Sequence, residues 1–151
     1  MYQRPRFLPA GDKALSVELG NSISPEINRR VRDLFVAIEN RGIPGIVDLV
    51  PTYRSLLVYY DPLRLPLPEL EERLTALEQH LDQAAVKLPR AVEIPTLYGG
   101  EYGPDLAHVA EHNGLSPEEV IQIHSSTDYL VYAMGFTAGF PYLGGMSERI
   151  A

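Results

Sequence analysis

Between Leu15 and Leu81 the apolar side chains switch their spacing from two residues to about 3.6 and back, and that succession restricts the fold more than any single motif. Leu15, Val17 and Leu19 alternate with Ser16 and Glu18, the pattern of a strand with one buried face. Gly20 and Asn21 break it. Ser24 and Pro25 then supply an N-cap and a residue whose φ is already helical. Ile27, Val31, Leu34, Phe35 and Ile38 fall on one face of a helix that Gly42 stops. Arg29, Arg30, Arg32, Asp33 and Glu39 lie off that face, and the arginines read as a solvated surface. Residues 46–50 and 56–60 read as two strands joined through the polar turn Pro51-Thr52-Tyr53-Arg54, and Asp61-Pro62 closes the second. Pro66 and Pro68 introduce another helix, with Glu69, Glu71 and Glu72 in its first turn and a stripe of Leu70, Leu74, Leu77 and Leu81. His80 lies off that stripe as plain surface.

The order is strand, helix, strand, strand, helix, which places the chain in the α+β class. A further strand at residues 91–95 would complete a small ferredoxin-like β-α-β-β-α-β unit, or would open a second domain. The boundary is set at Pro89, giving an N-terminal α/β domain of residues 1–88 and a second domain of residues 89–151. With 151 residues, 45% of them hydrophobic, the chain can bury a core. A net charge of −7 argues against nucleic acid as a partner, because phosphate binding needs clustered Lys and Arg. The lack of cysteine removes disulfides, thiolate nucleophiles and cysteine metal sites. No apolar run reaches membrane-spanning length and no signal-peptide core is visible, so a cytoplasmic protein with no membrane partner is expected.

After Pro89 the composition changes. Tyr98-Gly99-Gly100-Glu101-Tyr102-Gly103-Pro104-Asp105 is a loop whose backbone can approach a ligand closely. It lacks the Lys-Ser/Thr ending of a phosphate-binding loop, and its acids would repel phosphate. Glu101 and Asp105 are candidates for an acid/base pair or for holding an amide or ammonium group. Equally, Asp105 can simply complement the N-terminus of the helix that follows. That helix spans residues 105–113, and Ser116-Pro117-Glu118-Glu119 is a capping box that opens another. The pair imitates a helix-turn-helix, but the second helix begins with two glutamates and carries no Arg or Lys, which excludes a DNA reader. His108 and His112 share a helix face, and His124 beyond the next helix could supply a third ligand, but the pair reads as two exposed histidines and no metal site is assigned. His124 ends a helix close in sequence to the aromatic loop described next, and is the first choice for proton chemistry.

Residues 129–134 form a strand-like apolar run that feeds a loop holding Gly135, Gly139, Gly144 and Gly145. Phe136, Phe140, Pro141, Tyr142 and Leu143 sit between those glycines. Loops normally face water with polar side chains. This one either packs under other chain, as a buried corner of a barrel, or offers an apolar surface to a partner.

The two glycine-rich runs, together with Gly114-Leu-Ser-Pro-Glu-Glu-Val-Ile121, Ile123-His124-Ser125, Phe7-Leu-Pro-Ala-Gly-Asp12, Ile43-Pro-Gly-Ile-Val-Asp-Leu49 and Pro51-Thr-Tyr-Arg-Ser-Leu-Leu-Val58, resemble the KipI family. That family is also called allophanate hydrolase subunit 1, or the B subunit of bacterial 5-oxoprolinase. The resemblance covers essentially the whole chain. It implies a small α/β domain followed by a cyclophilin-like β-barrel domain. It also implies work with two other proteins, one KipA-like and one LamB/YcsF-like, in the ATP-dependent opening of 5-oxoproline to glutamate. ATP, with Mg, would belong to the complex, and this chain alone would bind no cofactor. Some members inhibit a sporulation histidine kinase, and fused relatives form part of urea carboxylase. Ala138 stands where the family loop carries a proline. Family members continue through further strands, so the resemblance implies truncation at Ala151 and an incomplete barrel in residues 89–151, less stable alone than residues 1–88.

Two functional expectations follow. In one, the chain is a non-autonomous subunit of a 5-oxoprolinase-type amidohydrolase, with His124, Glu101 and Asp105 catalytic and Tyr98, Gly100, Phe136, Gly139, Phe140 and Tyr142 binding substrate or partner. In the other, it is a KipI-like inhibitor that docks on a histidine kinase through Phe136, Phe140 and Tyr142 without catalysis of its own.

Overall fold

The computed structural model describes residues 1–81 and 90–151, so the boundary expected at Pro89 lies outside the described residues. The chain groups into two units: Met1–Leu88 with Tyr132–Met134, and Pro89–Val131 with Gly135–Ala151.

In the first unit the order is β1 (Arg6–Pro9), β2 (Ala14–Glu18), α1 (Pro25–Arg41), β3 (Ile46–Pro51), β4 (Ser55–Tyr60) and α2 (Leu67–Gln79). The strands make one antiparallel sheet in the order β1-β2-β4-β3. Leu15 lies opposite Val58 and Val17 opposite Leu56, so the alternation in both strands delivers its apolar members to one face. Ile27, Val31, Leu34 and Ile38 of α1 and Leu70 and Leu74 of α2 cover that face, and all of these side chains are buried. Helix α1 begins as its sequence dictates, with the Ser24 hydroxyl accepting from the Ile27 amide at 3.2 Å. It ends at Gly42, whose φ of +57° lets its amide reach the carbonyls of Ile38 and Glu39.

Three expectations need correction. Strand β1 has no counterpart in the sequence reading, and residues 91–95 are not a strand; Val92 and Ile94 are exposed. The second has a structural cause. The edge of β2 that a late strand would occupy is already hydrogen-bonded to β1, folded back across the turn at Gly11. The polar side of α1 is also not uniformly solvated. Arg30 pairs with Glu78 of α2 and donates to the Tyr2 carbonyl at 2.6 Å. Asp33 is only 7% exposed, and its Oδ1 has no hydrogen-bond partner among the described residues. Burial raises the Asp33 carboxyl above its ordinary range, with Arg29 and Arg32 opposing the shift. Asn28 is fully buried, and its Nδ2 donates to the carbonyls of Thr52 and Tyr132, each at 3.1 Å. The Tyr53 and Tyr132 rings stack at 5.1 Å.

The second unit contains α3 (Leu106–Asn113), α4 (Pro117–Ser125) and most of a hairpin formed by β5 (Leu130–Met134) and β6 (Pro141–Gly144). The capping box is present: Ser116 Oγ accepts from the Glu119 amide at 3.2 Å, and the Glu119 carboxylate accepts from the Ser116 amide at 2.8 Å. Helix α3 turns into α4 at Gly114, with φ of +64° and a Leu115 amide bonded back to the Ala110 carbonyl. The buried centre of this unit is Ala110, Val120 and Ile150, flanked by partly buried Leu106, Val109, Leu115 and Ile123. Among the described residues no helix is long and apolar enough to cross a membrane.

Candidate functional site

His124 occupies the last turn of α4. Two tyrosines from flanking segments meet it. Tyr98, in the extended segment before α3, places its hydroxyl oxygen 2.6 Å from Nδ1, with the rings edge to face at 5.7 Å. Tyr129, just before β5, lays its ring 5.3 Å from the imidazole and donates its hydroxyl to the His124 carbonyl at 3.2 Å. That bond satisfies a carbonyl in the last turn of the helix, where the intrahelical partners run out. Burial, with Tyr98 beside it, raises the Tyr129 phenol above its ordinary range, against a smaller opposing effect of Thr127. Tyr129 therefore stays protonated at neutral pH and remains a donor. All three side chains are half-buried. His124 Nε2 makes no hydrogen bond among the described residues.

The glycine-rich loop ahead of α3 is built differently from the expectation. Gly99 and Gly100 both take positive φ, +76° and +57°, and the Gly103 amide returns to the Gly99 carbonyl at 3.1 Å. A Cβ at Gly103 would stand 2.5 Å from the Gly99 nitrogen, so the close approach these glycines permit is of the loop to itself. Glu101 and Asp105 are exposed. Neither carboxylate bonds to His124 among the described residues, and Asp105, at the N-cap of α3, makes no side-chain capping bond. Of the residues singled out for catalysis and binding, Tyr98 and His124 come together, and Glu101 and Asp105 form no bonded group with them. Among the described residues no three histidine or acidic side chains converge as metal ligands, and His108 and His112 sit 6.1 Å apart, ring to ring, on an exposed face of α3.

The aromatic loop between β5 and β6 is ordered by its own backbone. The Gly135 amide bonds to the Phe140 carbonyl, the Phe140 amide to that of Thr137, and the Thr137 amide to that of Gly135 at 2.6 Å. The last of these is a three-residue turn centred on Phe136, whose φ of +59° lies in the left-handed region that a non-glycine residue occupies at a cost. Gly139, at φ +78°, is the third residue of the turn from Thr137 to Phe140, a position that takes a glycine readily. Ala138 is the second residue of that turn, where proline is favoured. Phe136 packs edge to face on Phe140 at 5.7 Å, and Phe140 on Tyr142 at 5.4 Å. Yet Phe136 is 90% exposed and Phe140 45%. The loop thus presents Phe136 and Phe140 to solvent beside a half-buried Tyr142, and is not a buried barrel corner.

Chemically, the unit offers a half-buried imidazole with one free nitrogen and an exposed aromatic surface. Sequence reasoning did not single out Tyr129 for a role at His124, although it stands only five residues beyond it; a tyrosine next to a strand reads as packing. The Tyr98–His124 contact spans a separation that no periodicity reaches.

Comparison with known proteins gives the family. The family described as carboxyltransferase domain, subdomain C and D, matches residues 5–151. The chain is 41% identical to the B subunit of 5-oxoprolinase from Bacillus subtilis (strain 168), over 100% of this chain and 67% of that one. It is 34% identical to the corresponding 5-oxoprolinase subunit of Escherichia coli O157:H7, over 98% of this chain and 66% of the relative. The crystal structure of TTHA0988 superposes with a TM-score of 0.78 at 38% identity, covering 91% of this chain and 27% of that one. Urea carboxylase of Kluyveromyces lactis shares the fold, with a TM-score of 0.61 at 18% identity, over 87% of this chain and 14% of that protein. The chain spans about two thirds of the length of these curated relatives.

Proposed function

The chain belongs to the carboxyltransferase domain, subdomain C and D, family, and from that membership we propose that it works as the B subunit of an ATP-dependent 5-oxoprolinase. In this reading it opens 5-oxo-L-proline to L-glutamate together with a KipA-like protein and a LamB/YcsF-like protein, the other two subunits of the enzyme. The single observation that carries the reading is the end-to-end identity to the Bacillus subtilis relative. The chain contributes His124 and Tyr98 to a site completed by its partners, and Phe136, Phe140 and Tyr142 meet the KipA-like protein. Large rings that already pack on one another lose little entropy on contact, which makes such a set an efficient binding surface. Glu101 and Asp105 are exposed and are assigned to the shared interface.

The glycine-rich loop ahead of α3 is a poor fit for a nucleotide phosphate. The loop of Gly99, Gly100 and Gly103 closes on itself, and Glu101 and Asp105 surround it with negative charge. ATP and Mg are therefore assigned to the complex. We read the first unit as a ferredoxin-like sheet whose late edge strand is replaced by β1, which the order β1-β2-β4-β3 supports. The second unit is read as the first part of a cyclophilin-like domain, the division falls at residue 88, and the protein works in the cytoplasm.

Mixing the chain with the KipA-like and LamB/YcsF-like proteins, 5-oxoproline, ATP and Mg tests the reading. Glutamate release that needs all three chains is the expected result. A Bacillus subtilis control that turns over, beside none with this chain, would leave the alternative of a kinase-binding module using the same exposed rings.

A further inference from the structure

The cluster around His124 determines more than its position. We propose that Tyr98 and Tyr129 are positioning residues that hold His124 as the Nε2–H tautomer, so that His124 serves as a hydrogen-bond donor to a carbonyl oxygen of the substrate and not as a base. The inference rests on the reading of His124 as a site residue of an amidohydrolase.

The argument starts from the 2.6 Å contact between the Tyr98 hydroxyl and Nδ1. A phenol is a better donor than acceptor, and the unprotonated nitrogen of a neutral imidazole is a strong acceptor. The bond therefore runs from Tyr98 O–H to the Nδ1 lone pair, and in neutral imidazole the one proton then resides on Nε2. Tyr129 packs on the same imidazole: its ring centroid lies 5.3 Å away, and its hydroxyl donates to the His124 carbonyl at 3.2 Å. Ring rotation that would exchange the two nitrogens would break the Tyr98 bond to Nδ1. The titratable groups facing the imidazole are Tyr98 and Tyr129, with no carboxylate bonded to either ring nitrogen among the described residues. Catalytic histidines that act as bases are oriented by a carboxylate or carbonyl accepting from Nδ1–H, which leaves Nε2 as the lone pair. Here the orienting group is a donor, and the roles of the two nitrogens are reversed. A neutral imidazole N–H aimed at a lactam carbonyl stabilises the negative charge that builds on oxygen as the ring opens.

Nitrogen-15 NMR of the histidine side chains in the whole chain reads the tautomer directly, without activity. The expected spectrum gives His124 a pyridine-like Nδ1 and a pyrrole-like Nε2. Tyr98→Phe, which removes only the hydroxyl, should shift those signals toward a mixture of tautomers, while His80, His108 and His112 stay in place as the check on folding. A pyrrole-like Nδ1 in the wild type overturns the proposal, and so does an unchanged tautomer in a folded Tyr98→Phe. If Tyr98→Phe fails to fold, the wild-type spectrum alone decides. In the reconstituted complex, His124→Gln keeps an amide N–H near the place of Nε2. It should turn over at least about tenfold faster than His124→Ala, which loses about 100-fold against wild type. Equal loss in both variants, with the expected tautomer present, overturns the donor role. Wild-type turnover in both sinks the placement of His124 in the site and leaves the tautomer result standing.

Discussion

The two units of this chain bury their residues in opposite proportions. In the first, fourteen buried apolar side chains among the described residues, from two strands, two helices and their connections, form one cluster. In the second, Ala110, Val120 and Ile150 make up the buried centre, and large rings stay outside it. At about 25 cal/mol per Å² of apolar surface removed from water, burial on the first scale supports a cooperative core, and burial on the second is marginal. The candidate chemistry sits entirely in the poorly packed unit. A well-packed platform joined to a region with spare surface is a common division of labour between stability and binding.

Substitutions can break this comparison or sharpen it. Leu56→Ala, on the central strand β4, should lower unfolding free energy by about 2–5 kcal/mol in urea titrations. An effect below about 1 kcal/mol would mean that the sheet face is not the main core. Ser116→Ala removes the capping box of α4 and should cost about 1 kcal/mol. That loss should register in amide exchange of α4 and leave β2 and β4 untouched. Phe136→Gly should act in the opposite sense. Relieving the positive φ should stabilise the loop by about 1 kcal/mol while weakening capture of the KipA-like protein in a pull-down with purified components. Stronger capture would remove the aromatic loop from the interface.

Asp33→Asn has the smallest expected effect, because Arg29 and Arg32 already offset burial. The sign follows from linkage: a carboxyl raised in the folded state favours folding when protonated, and that contribution is lost as pH rises through its folded pKa. Asp33→Asn should therefore be the more stable form at neutral pH, with the advantage fading in acid as wild-type Asp33 takes up its proton. An advantage that grows on acidification would contradict it, by thermal melts across the range.

How much of this was legible in the sequence follows from how local each signal is. Helices α1 and α2 and strands β2, β3 and β4 are each fixed by a period that a short window contains, and the caps at Ser24, Gly42 and Ser116 mark helix ends where they were expected. Strand β1 escaped because it is four residues long, ends in proline and buries only part of Phe7. The apolar pair Val92 and Ile94 read as a strand because alternation cannot report that the edge it would join is taken. Arg30 looked like surface because its position on the helical wheel says nothing about the Glu78 it meets on α2. At the candidate site, His124 and Tyr98 could be named as chemistry-bearing residues, but not as partners. Glu101 and Asp105 stood out as a pair for their type, and residue type alone carries no signal of the loop closing on itself between Gly99 and Gly103.

Residue-resolved amide exchange on the isolated chain confronts the contrast between the units most directly. Amides of β2 and β4 should exchange only through global unfolding, while those of α3, α4 and β6 exchange through local opening, at least about 100-fold faster. Equal protection across β2, β4, α4 and β6 in a monomer would show one cooperative core, and the account of a stable platform carrying an under-packed site would be wrong.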